Sequence, residues 1–357
     1  MKIKSKILIV VNSLEFFLSH RHSLAKEFNA KDYQVTVITD MNGKIKNDPD
    51  ITYIDFAIDR ASINPFNIII KSLRLRRLLL KDSYDFYYFA SHKSNVLGGL
   101  ASLLQFKIPT IFSISGLGYA FIDKSLKAKL IKSAILMLYS IFAKQSKSIF
   151  VFQNNDDLNL FLDHSVLSNK KAKIIPGMGV DLHKFQFHAR DKSDSKIPIK
   201  VLFAGRLLVD KGIEEFLALA KKLRNKNFEF HISGKLDEEN PNAVNSIHFK
   251  ESLKGPNIIY HGHTQFDQMF ELYKTTDIFL LPSYREGFPK AALEAAATGQ
   301  PLLMSDVPGC RDCIEDGFNG FLFEKGNLES METCLEKLSD FSNYKYFSKN
   351  SRRYVEK

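Results

Sequence analysis

Cysteine is scarce in this chain, with three residues among 357. So few cysteines indicate a reducing compartment and exclude a scaffold held together by disulfides. Cys310 and Cys313 have the C-x-x-C spacing of some zinc sites, but there is no second pair to complete one. We therefore expect neither a disulfide framework nor a structural metal.

Long apolar runs are also missing. No stretch reaches the ~18 residues that a membrane-spanning helix requires, and the longest, Ser133 to Ala143, predicts a core helix. Near the start, basic residues precede an apolar run as in a signal peptide. That run extends only from Ile7 to Val11, which is too short for such a peptide, so it predicts a buried strand.

Acidic residues are under-represented in one half of the chain. Residues 1–190 contain 27 Lys and Arg against 15 Asp and Glu, whereas residues 191–357 contain 23 against 25. The net charge of +10 is therefore confined to the first half, which predicts a nucleic acid, an acidic lipid or a phosphorylated substrate as its partner. No aromatic-rich basic platform or known binding motif supports nucleic acid.

The apolar runs that are present predict a doubly wound α/β fold. Each half opens with a strand–helix–strand pattern, and continuous apolar runs are typical of parallel strands that are buried on both faces. The ten predicted strands are KILIVVNS, YQVTVITD, FYYFAS, TIFSIS and SIFVFQ, then KVLFAGRL, FEFHISG, NIIYHG, IFLLPS and PLLMSD. We predict two Rossmann-like domains, 1–178 and 179–357, with a linker at about 176–198 and a ligand cleft between them.

The segment REGFPKAALE places two acids around the start of a helix. Pro289 suits the first helical position. Glu286 then lies in the preceding loop, where backbone N–H groups favour an anion, and Glu294 lies on the helix. The alternative is an ordinary helix start with a Glu286–Lys290 pair at helical spacing.

The segment FAGRLLVDKG ends the first strand of the second half. Gly205 allows a tight turn, and Arg206 and Lys211 follow beside a helix start. Two cations in such a place suit a diphosphate. The alternative is a surface loop that happens to hold an Arg and a Lys.

Taken together, these motifs resemble glycosyltransferase family 4. The E-x7-E element in PSYREGFPKAALEAAATGQP is the most specific part, and DVPGCRDCIEDGFNGFLF also resembles the family. The resemblance implies a GT-B fold and a retaining, metal-independent transfer from a nucleotide-sugar, without a cofactor.

The same resemblance implies roles for individual residues. Arg206 and Lys211 would hold the donor diphosphate, with Glu286 at the sugar hydroxyls as the third catalytic residue. Glu294 would bind the ribose. The remaining donor-binding residues would be Gly205, Gly287, Phe288 and Pro289, with the N–H groups of Gly287 and Phe288 near sugar and phosphate.

In the first half, NSLEFFLSHRHSLAKEF and SISGLGYAF resemble family members that act on polyprenyl-diphosphate-linked acceptors in the assembly of bacterial surface glycans such as O-antigen or capsule. The chain departs from many relatives at two points: Asn12-Ser13-Leu14 replaces a glycine-rich loop, and Ser115 replaces a histidine. The candidate acceptor residues are Ser13, His20, His92, Gly116, Leu117 and Gly118. A lone histidine such as His20 or His92 is more often structural.

Two helical segments of the first half, Ile68 to Ser83 and Lys124 to Lys147, mix basic and apolar residues. Such helices bind anionic membranes, or else their apolar stripe packs on the domain's own sheet. We expect a cytoplasmic enzyme on the inner face of the bacterial inner membrane.

The predicted activity is transfer of an N-acetylhexosamine or related sugar from a UDP-linked donor to a polyprenyl-diphosphate-linked glycan. Two alternatives remain, a nucleotide-sugar epimerase of the same architecture and a binding module without turnover. The sequence ends inside a helical pattern, so we expect either truncation or a shortened final helix.

Overall fold

The computed structural model describes residues 5–44, 48–58, 64–105, 107–117, 121, 125–188, 190, 197–237, 240 and 242–357, without the side chains of 341 and 342. It divides into two compact units between Ile175 and Pro176. We call them the N-terminal unit and the C-terminal unit. Each is built around a parallel sheet, which confirms the predicted α/β class.

The sheet of the N-terminal unit has the order β3-β2-β1-β4-β5-β6-β7, and every pairing is parallel. Its strands are β1 Lys6–Val11, β2 Gln34–Thr39, β3 Ile51–Asp55, β4 Phe86–Ala90, β5 Thr110–Ile114, β6 Ser148–Phe152 and β7 Ala172–Ile174. Its helices are α1 Leu14–His20, α2 His22–Ala30, α3 Pro65–Lys81, α4 His92–Ser102, α5 Leu126–Ala143 and α6 Asn155–Asp163.

Two hydrophobic cores cover the two faces of this sheet. Leu75, Leu97 and Phe142 bring α3, α4 and α5 onto one face. Phe17 and Ala25 bring α1 and α2 onto the other. Because both faces are covered, the central strands are apolar along nearly their whole length.

The sheet of the C-terminal unit has the order β10-β9-β8-β11-β12-β13, again all parallel. Its strands are β8 Ile199–Ala204, β9 Phe228–Ser233, β10 Ile258–Tyr260, β11 Ile278–Leu281, β12 Leu302–Ser305 and β13 Gly320–Phe323. Its helices are α7 Ile213–Lys222, α8 Ser246–Ser252, α9 Met269–Thr275, α10 Lys290–Ala297, α11 Leu328–Ser339 and α12 Phe341–Glu356. The strand order reverses between β8 and β11, and ligands of such sheets bind at the carboxyl ends of the strands at that point.

All ten strands predicted from apolar runs are present. The runs did not reveal β3, which is an edge strand with mixed burial, or β7, which has three residues. The helix of the first strand–helix–strand pattern is interrupted, because Arg21 has a φ of −130° and separates α1 from α2.

No helix in the described part of the chain combines the length and apolarity needed to cross a bilayer. The apolar segment from Ser133 to Ala143 forms the second half of α5, where Leu136, Tyr139 and Phe142 are buried against the sheet. The prediction that this segment is a core helix is confirmed.

Candidate functional site

The site predicted for the donor lies at the reversal point of the C-terminal sheet. Strands β8 and β11 are parallel neighbours, with Val201 paired to Ile278. Gly205 and Arg206 follow the end of β8, and the loop with Ser283 and Glu286 follows the end of β11. Since both strands end at the same edge, the two motifs come together although they are far apart in sequence.

An ion pair joins the two motifs. Lys211 Nζ lies 2.7 Å from Glu286 Oε2, and the two side chains are 17% and 11% exposed. The Ser283 hydroxyl donates to the other carboxylate oxygen, Oε1, at 2.7 Å. Glu286 thus pairs with Lys211, which follows the end of the neighbouring strand.

Glycine allows the chain segments around this ion pair to approach one another closely. Gly212 has a φ of +74°, and a Cβ there would stand 2.0 Å from the Pro282 carbonyl oxygen. Gly309 has a φ of +80°, and its Cβ would stand 2.3 Å from the Glu286 carbonyl oxygen. The sequence predicts Gly212 at the start of the next helix, which is confirmed. It does not reveal these two close approaches, because they are contacts with distant segments.

Arg206 is the more accessible cation, with its side chain 54% exposed. Its Nη1 is 3.9 Å from Asp237 Oδ2, a long and weak ion pair. Gly205 donates its N–H to the Ser233 carbonyl at 3.0 Å, which fixes the turn after β8. The guanidinium can therefore turn towards an anionic ligand at little cost.

The helix after Glu286 begins one residue later than predicted. Pro289 has an extended ψ of 110° and is the N-cap of α10, so Lys290 is the first helical residue. The prediction of Pro289 as the first helical residue was wrong by this one position. Gly287 is buried, and Phe288 is half-buried with its ring against Gly177.

Glu294 lies on α10 and is 5% exposed. The Tyr273 hydroxyl donates to its Oε2 at 3.1 Å, and Lys290 Nζ lies 3.4 Å from its Oε1. Burial raises the pKa of Glu294, and the Lys290 charge partly opposes this. The carboxyl group is thus oriented by two partners.

In the N-terminal unit, Ser13 is buried and caps α1 by accepting the Phe16 N–H at 3.2 Å. His20 stacks on Phe16 with ring centroids 4.6 Å apart, and its Nδ1 is 2.7 Å from the Ser19 hydroxyl. Ser13 follows the end of β1 and His20 is the last residue of α1, and both have clear structural contacts.

His92 begins α4, and its Nδ1 lies 3.0 Å from the Tyr139 hydroxyl. Burial lowers the pKa of His92 to about 4, with the Gly116 backbone opposing the shift, so the ring is neutral. Its Nε2 is buried without a hydrogen bond of ordinary geometry to the described residues. Gly116 has a φ of +103° and Leu117 is buried, while Gly118 lies outside the described residues.

Across the described residues, no three His, Cys, Asp or Glu side chains are arranged to hold a metal ion. Cys310 and Cys313 are free and buried, and burial raises the pKa of both thiols well above the usual range. Both thiols belong to the core of the C-terminal unit.

Two family models match the chain. The model for glycosyl transferases group 1 matches residues 185–354, and that for glycosyl transferase 4-like proteins matches residues 6–154. The described part of each unit is thus covered almost entirely by a glycosyltransferase model.

Curated relatives of this chain are also glycosyltransferases. An N,N'-diacetylbacillosaminyl-diphospho-undecaprenol alpha-1,3-N-acetylgalactosaminyltransferase of Campylobacter jejuni is 33% identical over 80% of this chain and 75% of its own. A UDP-Gal:alpha-D-GlcNAc-diphosphoundecaprenol alpha-1,3-galactosyltransferase of Escherichia coli is 29% identical over 80% of this chain and 74% of its own.

Solved structures share the fold. Sucrose-phosphate synthase of Thermosynechococcus elongatus superposes with a TM-score of 0.82 at 17% identity, covering 99% of this chain and 94% of its own. Anabaena Alr3699/HepE in complex with UDP and glucose superposes with a TM-score of 0.72 at 16% identity, covering 98% of this chain and 94% of its own. With the family models and the Campylobacter relative, this establishes that the chain belongs to glycosyltransferase family 4 and has the GT-B fold.

Proposed function

We propose that this enzyme transfers an N-acetylhexosamine or related sugar from a UDP-linked donor to a polyprenyl-diphosphate-linked glycan. The observation that carries the proposal is the Lys211–Glu286 ion pair beside Arg206, at the reversal point of the C-terminal sheet. The names of the Campylobacter and Escherichia relatives, which both specify an undecaprenyl-diphosphate acceptor, support the acceptor class.

The donor diphosphate is held by Arg206 and Lys211 in this proposal. Fixed cations stabilise the negative charge that develops on a leaving phosphate, so the transfer needs no metal ion. Glu286 binds hydroxyls of the transferred sugar, and its bonds to Lys211 and Ser283 keep it in place. The buried Glu294 binds the ribose hydroxyls, and the Gly287–Phe288–Pro289 backbone adjoins the sugar and phosphate.

The transfer is proposed to retain the configuration of the sugar. The bond between the anomeric carbon and the phosphate oxygen breaks, and the acceptor hydroxyl bonds to that carbon from the same face. The leaving phosphate takes the acceptor proton. Support comes from the α linkages in the names of both relatives.

The acceptor is proposed to bind the N-terminal unit, which rests on an anionic membrane surface at the inner face of the inner membrane. The inner stripes of α3 and α5 pack on the sheet, as the alternative interpretation held. Large apolar side chains nevertheless remain exposed near the starts of these helices, including Phe66, Ile69, Leu126 and Leu130. Because α3 and α5 follow β3 and β5, their starts lie towards the carboxyl edge of the sheet, where ligands bind.

A panel of nucleotide-sugars, each incubated with a polyprenyl-diphosphate-linked glycan, tests the proposal. We expect one donor to increase the acceptor's mass by one sugar residue and to release the nucleoside diphosphate. Conversion of the donor without an acceptor would instead show an epimerase. Saturable donor binding with neither reaction would show a binding module.

A further inference from the structure

Arg21 is a cation inside the N-terminal unit that no described carboxylate neutralises. It is 1% exposed. Its Nη1 donates to the His20 carbonyl at 3.0 Å and its Nη2 to the Ser113 hydroxyl at 3.2 Å. Its Nε makes no hydrogen bond to any described residue. The aromatic rings of Phe16 and Tyr88 lie 5.5 and 5.9 Å from the guanidinium carbon.

A buried charge is costly unless it is paired, and buried arginines normally face a carboxylate or a phosphate. One carbonyl, one hydroxyl and two ring faces compensate Arg21 only in part. Packing alone gives no reason to keep a charge here, since an apolar side chain of similar size avoids the desolvation penalty.

Arg21 is also one end of a buried chain of hydrogen bonds. The Ser113 carbonyl accepts from Asn95 Nδ2 at 3.0 Å, and the same amide donates to the Tyr139 hydroxyl at 3.0 Å. That hydroxyl lies 3.0 Å from His92 Nδ1. Two further atoms of this chain, Asn95 Oδ1 and His92 Nε2, are buried without a hydrogen bond of ordinary geometry to the described residues.

Backbone strain marks the same place. Ser91, just before His92, has a φ of +92° and a ψ of 151°, a region that is essentially restricted to glycine. It follows the end of β4, and Ser113 lies near the end of the neighbouring β5. Unused polar atoms, an unpaired cation and a strained residue therefore coincide at the ligand-binding edge of this sheet.

We propose that Arg21 supplies the positive charge of a subsite that binds the diphosphate of the acceptor. This inference rests on the proposed function. An anion is the ligand that an unpaired guanidinium requires, and the donor diphosphate already has Arg206 and Lys211 in the other unit. The neutral His92 and the Asn95 carbonyl are suited to hydroxyl groups of the attached glycan.

The test compares Arg21→Gln, which removes the charge, with Arg21→Lys, which keeps it. Each is assayed with a glycan on polyprenyl diphosphate and with the same glycan on a plain alkyl chain. We expect Arg21→Gln to raise the KM for the diphosphate acceptor about tenfold or more, with little change in kcat. Arg21→Lys should recover part of the loss, and the KM for the alkyl acceptor should stay unchanged. Ser113→Ala removes one hydrogen bond of Arg21 but keeps the charge, so it should raise this KM far less than Arg21→Gln does.

A purely structural role would weaken use of both acceptors equally and would give no advantage to Arg21→Lys. That result, or a rise in the donor KM instead of the acceptor KM, would overturn the proposal.

A second measurement depends neither on sugar-transfer activity nor on the Arg21→Gln variant. The Arg21 Nε–H resonance of the ¹⁵N-arginine-labelled protein, assigned by its absence in Arg21→Lys, is followed during titration with inorganic pyrophosphate. The background is Lys211→Ala, which weakens the donor site. We expect a saturable shift, and no shift would overturn the subsite. A shift without transfer to any acceptor would refute the proposed function alone.

Discussion

Lys211 and Glu286 are separated by 75 positions in the sequence and by 2.7 Å in the structure. Their contact explains the acid that precedes Gly287, Phe288 and Pro289. A carboxylate beside a diphosphate is repelled by it unless its charge is balanced, and Lys211 balances that charge beside the place proposed for the diphosphate. Half-buried ion pairs of this kind are costly to break on one side only.

Glu286→Gln and Lys211→Ala should each reduce the rate of transfer about 100-fold or more, because each removes one electrostatic contact in the donor site. Circular dichroism should show intact folding, and Lys211→Ala should also weaken nucleotide binding measured by calorimetry. Lys222→Ala is a matched control, since it removes an ion pair with Glu332 elsewhere in the same unit. Near-normal turnover in either site variant would refute the assignment of these two residues.

His92 should make stability depend on pH. The pKa of His92 is about 4 in the folded protein and about 6.5 when unfolded. Below pH 6.5 the unfolded chain therefore binds a proton that the folded chain does not. Above pH 6.5 His92 does not lower the free energy of unfolding. As the pH falls to 5, proton uptake by the unfolded chain lowers that free energy by about 2 kcal/mol.

His92→Gln removes this proton uptake. Chemical unfolding at pH 7.5 and pH 5 should therefore show a smaller loss of stability for the variant than for the wild-type protein. An equal loss in both proteins would mean that His92 is accessible to protons in the folded state.

At the scale of elements, the donor site depends on loops that meet closely. Gly309→Ala forces a residue with φ near +80° to carry a Cβ 2.3 Å from the Glu286 carbonyl oxygen. Backbone atoms there must shift, so we expect a loss of more than about 2 kcal/mol in stability and a large loss of transfer. Gly317→Ala is the control, because its φ is also positive, +76°, but nothing lies within 4 Å. Equal losses of stability and transfer in the two variants would show that the positive φ alone causes the effect, and not the close approach to the Glu286 carbonyl oxygen.

The apolar runs predicted the strands because burial on both faces leaves a continuous local signal. The break at Arg21 has no such signal, since the residues around it fit one helix. It follows from contacts with Ser113, 92 positions away. The main candidate donor residues were found from local motifs, and the family resemblance implied their roles. The contacts of Gly212, Gly309 and Arg21 instead depend on tertiary structure. The edge strand β7 was missed because three residues leave too short an apolar run.

For the whole molecule, the uneven charge predicts binding of the N-terminal unit to anionic lipid. Arg74, Arg77 and Lys81 of α3 are exposed, whereas Arg76 donates to the Ala101 carbonyl and has a structural role. Changing the three exposed residues to Gln should remove about 3 kcal/mol of attraction, or roughly 100-fold in vesicle binding. Transfer to a short, water-soluble acceptor should survive.

Flotation with vesicles provides the measurement. Changing Lys221, Arg224 and Lys250 to Gln gives a control of equal charge in the other unit. Phe66→Ser, which removes an exposed apolar side chain near the start of α3, should also weaken vesicle binding. Leu104→Ser, which changes an exposed leucine after the end of α4, is its control. Binding that is the same on neutral and anionic vesicles, and insensitive to salt, would mean that these charges form only a solvated surface.

The most direct test of the proposed activity is the mass of a polyprenyl-diphosphate-linked glycan after incubation with UDP-linked donors in excess EDTA. We predict a gain of one sugar residue with the wild-type enzyme, essentially no gain with Glu286→Gln, and no need for a divalent ion. An unchanged acceptor mass with every donor, or a gain that appears only when magnesium or manganese is restored, would contradict the proposed metal-independent transfer.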